Sequence, residues 1–170
     1  MIKFEDCRLG ETDEALAIDT SEQLGQVSLE MVRQGKRTLD IISRELDPAI
    51  YNTAEFTEAV KQLVLKSRNN RVRILVHEPL RIAKRGHRLV DLAMHLSSFI
   101  EIRVADREYA DFNEAILVVD STGYIHRING DRYETKLNFN DGRTARILIR
   151  QLDDMWEKSR TDQNFKRMHI

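Results

Sequence analysis

Five consecutive apolar residues, Ala115 to Val119, run into the turn-forming stretch Asp120-Ser121-Thr122-Gly123. A run this short, closed by turn residues, reads as a strand buried on both faces. A strand of that kind must sit inside a sheet that is covered above and below.

The rest of the chain offers strands to flank it and helices to cover it. Thr20 followed by Gln23 fits a capping box, and Leu24, Val27 and Met31 recur at helical spacing up to Gly35. Residues 38–43, TLDIIS, are β-branched and apolar and read as a strand. Asn52, with Glu55 three residues on, is expected to cap a helix that carries Phe56, Val60, Leu63 and Ser67 on one face. Residues 72–77, VRILVH, are a second strand. Pro79 suits the first turn of one long helix lined by Ile82, Gly86, Leu89, Ala93 and Leu96, where the glycine implies a close neighbour. Residues 100–104 are a third strand, and 115–120 with 124–128 make a hairpin-like pair. Asp141 caps a last helix with Ala145, Leu148, Leu152 and Met155 inward. Helices alternating with the early strands predict an α/β fold, a mixed and mostly parallel sheet with helices on both faces.

The charges are near balance, with a net of −1 over 170 residues, so nothing global drives the chain toward nucleic acid or anionic membrane. Their distribution is uneven. Residues 1–30 carry eight acidic side chains against Lys3 and Arg8, and residues 61–88 carry nine basic ones against Glu78. Residues 1–19 are expected to be an acidic N-terminal tail, flexible or added as one strand. Residues 20–158 form the body and 159–170 a C-terminal tail. The lone Cys7 suits a reducing compartment, and no apolar leader or membrane-length run is present, so a soluble cytoplasmic protein is expected.

Three segments, TLDIISRELDP, VRILVHEP and FNEAILVVDSTGYIHR, resemble one half of a phospholipase D-type fold over roughly residues 20–158. With RGHRLVDLA and the ending DDMWEKS, the chain is most similar to short bacterial proteins described as a phospholipase D-like domain of unknown function. The signature of that superfamily is HxKxxxxD. Setting Asp120 on its Asp puts Asn113 on the His and Ala115 on the Lys. In active members the His attacks the phosphodiester phosphorus, the Lys neutralises the phosphoryl oxygens, and a second motif protonates the leaving group. Asn113 has no nucleophilic lone pair, Ala115 has no charge, and the Gly-Ser-x-Asn that usually follows is missing after Gly123. The resemblance therefore implies the fold without its catalytic residues, with Asp120 kept as a structural residue. It also implies a homodimer, because one-copy relatives pair their signature edges across a two-fold axis. A protein partner is implied by relatives joined to N-acetyltransferase domains.

Open α/β sheets bind ligands beyond the carboxyl ends of their strands. Two strands end at Ser43-Arg44 and His77-Glu78, and an antiparallel 115–120 strand would begin at that edge with Asn113. Arg44, His77 and Asn113 would then make a small anion cup. The plainer alternative pairs Arg44 with Glu45 or Asp47, leaves His77 a packed edge residue and lets Asn113 turn the chain. Arg85, His87 and Arg88 form a second candidate anion site, with Arg81 beside them and Lys66, Arg68 and Arg71 extending the strip toward a phosphate-rich partner. The plainer alternative there is a solvated helix face. No aromatic residues interleave with these charges to stack on bases. His77, His87, His95, His126 and His169 lack metal-ligand spacing, so neither a metal nor a cofactor is expected.

Three functions compete on these residues. One is a non-catalytic interaction or regulatory module. Another is a phosphate-polymer or nucleic-acid binder that uses residues 61–88. The third is a divergent phosphodiesterase in which His77 or His87 replaces the missing nucleophile. The absent His and Lys and the near-neutral charge favour the first.

Overall fold

Alternate side chains of a strand point to opposite faces of its sheet, and both faces of the apolar run are covered. The structure of the chain, a computed structural model, describes residues 3–166. In chain order its elements are β1 (Leu16–Ile18), α1 (Ser21–Gln34), β2 (Thr38–Ile42), α2 (Pro48–Tyr51), α3 (Ala54–Leu65), β3 (Arg71–Val76) and α4 (Pro79–Arg85). There follow α5 (Arg88–His95), β4 (Ile100–Val104), β5 (Ala115–Val119), β6 (Gly123–Arg127), β7 (Thr135–Asn138) and α6 (Gly142–Glu157). The strands form one seven-stranded sheet in the order β1-β7-β6-β5-β2-β3-β4.

On one face, Leu117 and Val119 of β5 join Leu24, Val27 and Met31 of α1, Phe56 and Leu63 of α3, and Leu89 and Ala93 of α5. On the other, Ile116 and Val118 meet Ala145, Leu148, Leu152 and Met155 of α6, with Ile42, Leu75 and Tyr124. A fully buried side chain of this size contributes about 1.5–3 kcal/mol, so an unbroken apolar run gains on both faces.

The α/β class, the mixed sheet and the two-sided cover agree with the sequence reading, and the balance of strand directions is the one adjustment. Only β2·β3 and β3·β4 are parallel; the pairs β2·β5, β5·β6, β6·β7 and β1·β7 are antiparallel. Helical crossovers link β2 to β3 and β3 to β4; after β4 a longer connection leads into β5, a tight turn joins β5 to β6, and a loop leads on to β7. Of the two alternatives for residues 1–19, a strand forms at Leu16–Ile18 and pairs with β7. Cys7 is buried, and the backbone of residues 7–14 bonds to Gln34 and Asn138 rather than to the basic stretch. At the other end, Arg160 bridges to Val104 and Phe165 is buried.

Two local readings are corrected. Residues 79–96 are two helices, because Gly86 takes φ 78° and ψ 149° and ends α4. A Cβ there would meet nothing within 4 Å, so the glycine serves backbone conformation and not close packing. Thr53, not Asn52, caps α3, its Oγ1 accepting the Phe56 N–H at 3.1 Å. Asn52 instead ends α2 and accepts the Arg88 N–H at 2.9 Å.

Candidate functional site

Because β5 runs antiparallel to β2, the residues after β2 and those before β5 meet at one edge of the sheet. A cleft of about 160 Å³ opens there, lined by Ser43, Arg44, Glu45, Asp47, Arg81, Asn113, Glu114, Ala115, Arg127, Gly130 and Asp131. This is the edge at which Asn113 and Ala115 lie.

Asn113 lines the cleft, but its side chain is already engaged. The amide Nδ2 donates to Asn129 Oδ1 at 3.3 Å and Asp131 Oδ2 at 3.2 Å, and the Asn113 carbonyl accepts the Gly130 N–H at 2.6 Å. Asn113 is thus a tether for the loop between β6 and β7. A Cβ on Gly130 would lie 2.8 Å from Asn113 Oδ1 and 3.1 Å from the Asn113 carbonyl oxygen, so a side chain there would push the Asn113 amide aside. Ala115 is buried and stands opposite Arg127 in the β5·β6 ladder.

Arg127 therefore places a guanidinium beside the position where the signature would put its Lys. That cation is not free. Arg127 donates to Asp47 Oδ2 at 3.1 Å and to the Arg132 carbonyl at 2.5 Å, and it lies 4.4 Å over the Tyr133 ring. Asp47 also accepts the Tyr133 hydroxyl at 3.3 Å and caps α2 through the Ala49 N–H at 3.1 Å. The sequence reading missed Arg127. Its hairpin, centred on Ser121, held the signal, since continuing that pairing sets residue 127 against 115.

Arg44 reaches the cleft, paired with Glu78 at 3.4 Å rather than with Glu45 or Asp47. Its guanidinium also donates to the carbonyls of Ala110 and Phe112, the latter at 3.2 Å. His77 is not part of the cleft lining. Its Nε2 lies 3.2 Å from the Tyr109 carbonyl, so that nitrogen is assigned the proton, and its ring stacks on Phe112 with centroids 6.3 Å apart. His77 Nδ1 is buried with no partner among the described residues. Burial first, and the Arg44 charge second, lower the His77 pKa and favour the neutral ring. Arg44 and Asn113 thus share the cleft, while His77 stands behind the 109–112 segment. Tyr109 and Phe112 pack against the α6 side and form no exposed apolar patch at this edge.

Each cation of the cleft faces a carboxylate. Arg81 pairs with Glu45 at 2.8 Å, Arg44 with Glu78 and Arg127 with Asp47. A bound anion would compete with these acids, and the lining is charge-balanced. Glu114 pairs with His126 at 2.6 Å. His126 is opposite Ile116 and so shares its face, the side covered by α6.

The residues of the second candidate site make local contacts. His87 is buried and caps α5, its Nδ1 accepting the Leu89 N–H at 3.1 Å and its Nε2 meeting the Leu46 carbonyl at 3.1 Å. Burial pushes its pKa down to about 4, so the ring is neutral at pH 7. Arg85 donates to the Glu45 carbonyl and Arg88 to the Asn52 carbonyl. His95 Nδ1 donates locally to the Asp91 carbonyl, 2.7 Å away, and His169 lies outside the described residues. Among the described residues no group of three His, Cys, Asp or Glu side chains is placed to hold a metal ion. No helix among them is long and apolar enough to cross a membrane.

Asp120 keeps a defined task. Its Oδ2 accepts the Lys36 N–H at 2.8 Å, and its Oδ1 accepts those of Arg37 at 2.7 Å and Thr38 at 3.0 Å. Asp120 and Ser121 adopt φ of 55° and 54°, the left-handed pair of a tight hairpin turn.

This architecture recurs in solved structures. NucT from Helicobacter pylori superposes with a TM-score of 0.63 at 12% identity, covering 88% of this chain and 99% of that one. Nuc from Salmonella typhimurium, a phospholipase D family member, gives 0.59 at 14% identity, covering 86% and 96%. TrmBL2, an archaeal chromatin protein whose structure shows a novel mode of DNA binding, gives 0.64 at 14% identity. That match covers 88% of this chain but only 54% of TrmBL2, about half its length. At these identities the likeness shows a phospholipase D-like fold. No curated protein matches the sequence. A family model described as Domain of unknown function (DUF7931) matches residues 20–168.

Proposed function

The chain belongs to the family described as Domain of unknown function (DUF7931), and from that footing we propose that it is a non-catalytic phospholipase D-like module serving interaction or regulation. The observation that carries this reading is the state of the two vacated signature positions. Asn113 tethers the β6–β7 loop through Asn129 and Asp131, and Ala115 is buried against Arg127, whose charge is matched by Asp47. Neither nucleophile nor free cation stands where phosphoryl transfer would need both.

The alternative nucleophiles are poorly supported. His87 is a buried helix cap, and His77 sits behind the Tyr109 carbonyl rather than in the cleft. The working unit is residues 20–158, with the flanking residues closing the two edges of the sheet at β1 and at Arg160. In this reading the module acts in the cytoplasm as a homodimer through the signature edge.

The test is hydrolysis of bis(p-nitrophenyl) phosphate and of a DNA duplex, with sedimentation velocity on the same sample. The expected result is no turnover and a dimer. Turnover that disappears in His77→Ala or His87→Ala would overturn the catalytic part, and a monomer at high concentration the assembly part.

A further inference from the structure

We infer that the amino-terminal end of the parallel strands, opposite the cleft, binds the phosphate backbone of a nucleic-acid duplex. The sequence groups residues 61–88 into one basic cluster, but the fold divides it across β3. Arg81 to Arg88 go to the cleft end. Lys66, Arg68 and Arg71 go to the opposite end, where Arg33, Lys36 and Arg37 join them from the segment between α1 and β2.

Hydrogen bonds tie the two segments together. The Arg71 N–H donates to the Arg37 carbonyl at 3.2 Å, the Asn70 side chain to the Lys36 carbonyl at 2.8 Å, and Lys66 Nζ to the Gly35 carbonyl at 2.5 Å. Arg33 and Lys66 flank one shallow cavity, which also carries Glu55 and Glu58. All six cations are exposed, and among the described residues none is in an ion pair. That is the reverse of the cleft, where every guanidinium faces an acid. The nearby Asp120 is in no ion pair with them among the described residues; its oxygens accept three backbone N–H groups.

The chemistry of the partner follows from what the patch has and lacks. Unpaired surface cations gain by releasing counterions from a densely charged polymer. A protein partner would want an apolar centre, and the large hydrophobic residue exposed beside the patch is Leu65 alone. Phe99 lies beneath Arg71, 5.8 Å from its guanidinium, and is partly buried in the core cluster, so it offers no open face for an unpaired base. A duplex backbone fits both facts. The inference does not rest on the absence of catalysis, since binding and hydrolysis are read separately.

The experiment is fluorescence anisotropy of a short fluorescein-labelled DNA duplex across a KCl series. The wild-type chain should bind at low salt, with affinity falling linearly in log salt. The variant Lys36→Gln/Arg37→Gln/Arg68→Gln should lose about 2 to 3 from that slope while keeping its far-UV spectrum and melting temperature. The variant Lys84→Gln/Lys136→Gln/Arg150→Gln, which removes as many charges elsewhere, should bind as the wild type does. No salt-dependent binding by the wild type would overturn the inference. So would equal weakening in both variants, or competition by polyglutamate as strong as that by unlabelled duplex.

Discussion

Asp120 Oδ1 accepts the backbone N–H of Arg37 at 2.7 Å, tying the turn after β5 to the entrance of β2. The same carboxylate takes the N–H groups of Lys36 and Thr38. Asp120 thus works as a clasp between two adjacent strands.

Removing the clasp should cost stability. Asp120→Ala removes the acceptor of three N–H donors at the strand entrance, that of Thr38 half-buried, and places a residue with no local polar contact at φ 55°. A loss of about 3 kcal/mol is expected from the unmade charged hydrogen bonds and the left-handed backbone. Asp120→Asn keeps one acceptor oxygen and tolerates the backbone, so it should lose about 1–2 kcal/mol. Urea denaturation of the three proteins checks the order.

Gly35 and Gly86 should respond to alanine for different reasons. At Gly35 a Cβ would lie 2.8 Å from Val119 Cγ1 with an ordinary φ, so Gly35→Ala overpacks by about 1–3 kcal/mol and Val119→Ala should relieve it. At Gly86 space is open but φ is 78°, so Gly86→Ala should lose about 1–3 kcal/mol through backbone strain. No neighbouring truncation should rescue that loss. A double-mutant cycle by denaturation separates the two cases.

Asp47 neutralises Arg127, whose side chain is 8% exposed. Asp47→Asn keeps the shape and the α2 cap but leaves a buried guanidinium without its counter-charge. A loss of about 3 kcal/mol is expected. Arg127→Met in the same background should recover part of it, which thermal melts can read.

Stability should fall as the solution is acidified through the histidine range. His87 has a folded pKa of about 4 against an ordinary 6.5, so below 6.5 the unfolded chain binds the proton more readily. The effect begins near pH 6.5, is complete near pH 4, and is on the order of 3 kcal/mol. His77, also lowered, acts in the same direction. His87→Asn keeps a capping oxygen without a titrating ring, so its stability should be flatter between pH 6.5 and 4. Urea titrations at several pH values measure this.

The last helix was legible residue by residue. Asp141 caps it through the Thr144 N–H at 3.0 Å, and Ala145, Leu148, Leu152 and Met155 are its buried side. The Thr20 cap and the strands around Leu39, Ile74, Ile102 and Leu117 were equally readable, because each follows from local spacing. β7 was not read as a strand, and β1 only as one of two alternatives for residues 1–19. Each is only a few residues long, and TKLN has no apolar run of its own; β7 is held by its neighbours β6 and β1.

The order of residues, by itself, determined the α/β class and the buried central strand. Those depend on side-chain identity and on periods of two or of about 3.6 residues. Only the tertiary structure decided which charges meet. Arg44 could pair with Glu45, Asp47 or Glu78 as far as the linear order goes, and the fold chose Glu78. It also sent Arg81 toward Glu45 and left Arg37 and Arg68 in solvent at the other end of the sheet. Pairing depends on distance in space, which strand direction and crossover path set, and those emerge only when the whole core closes.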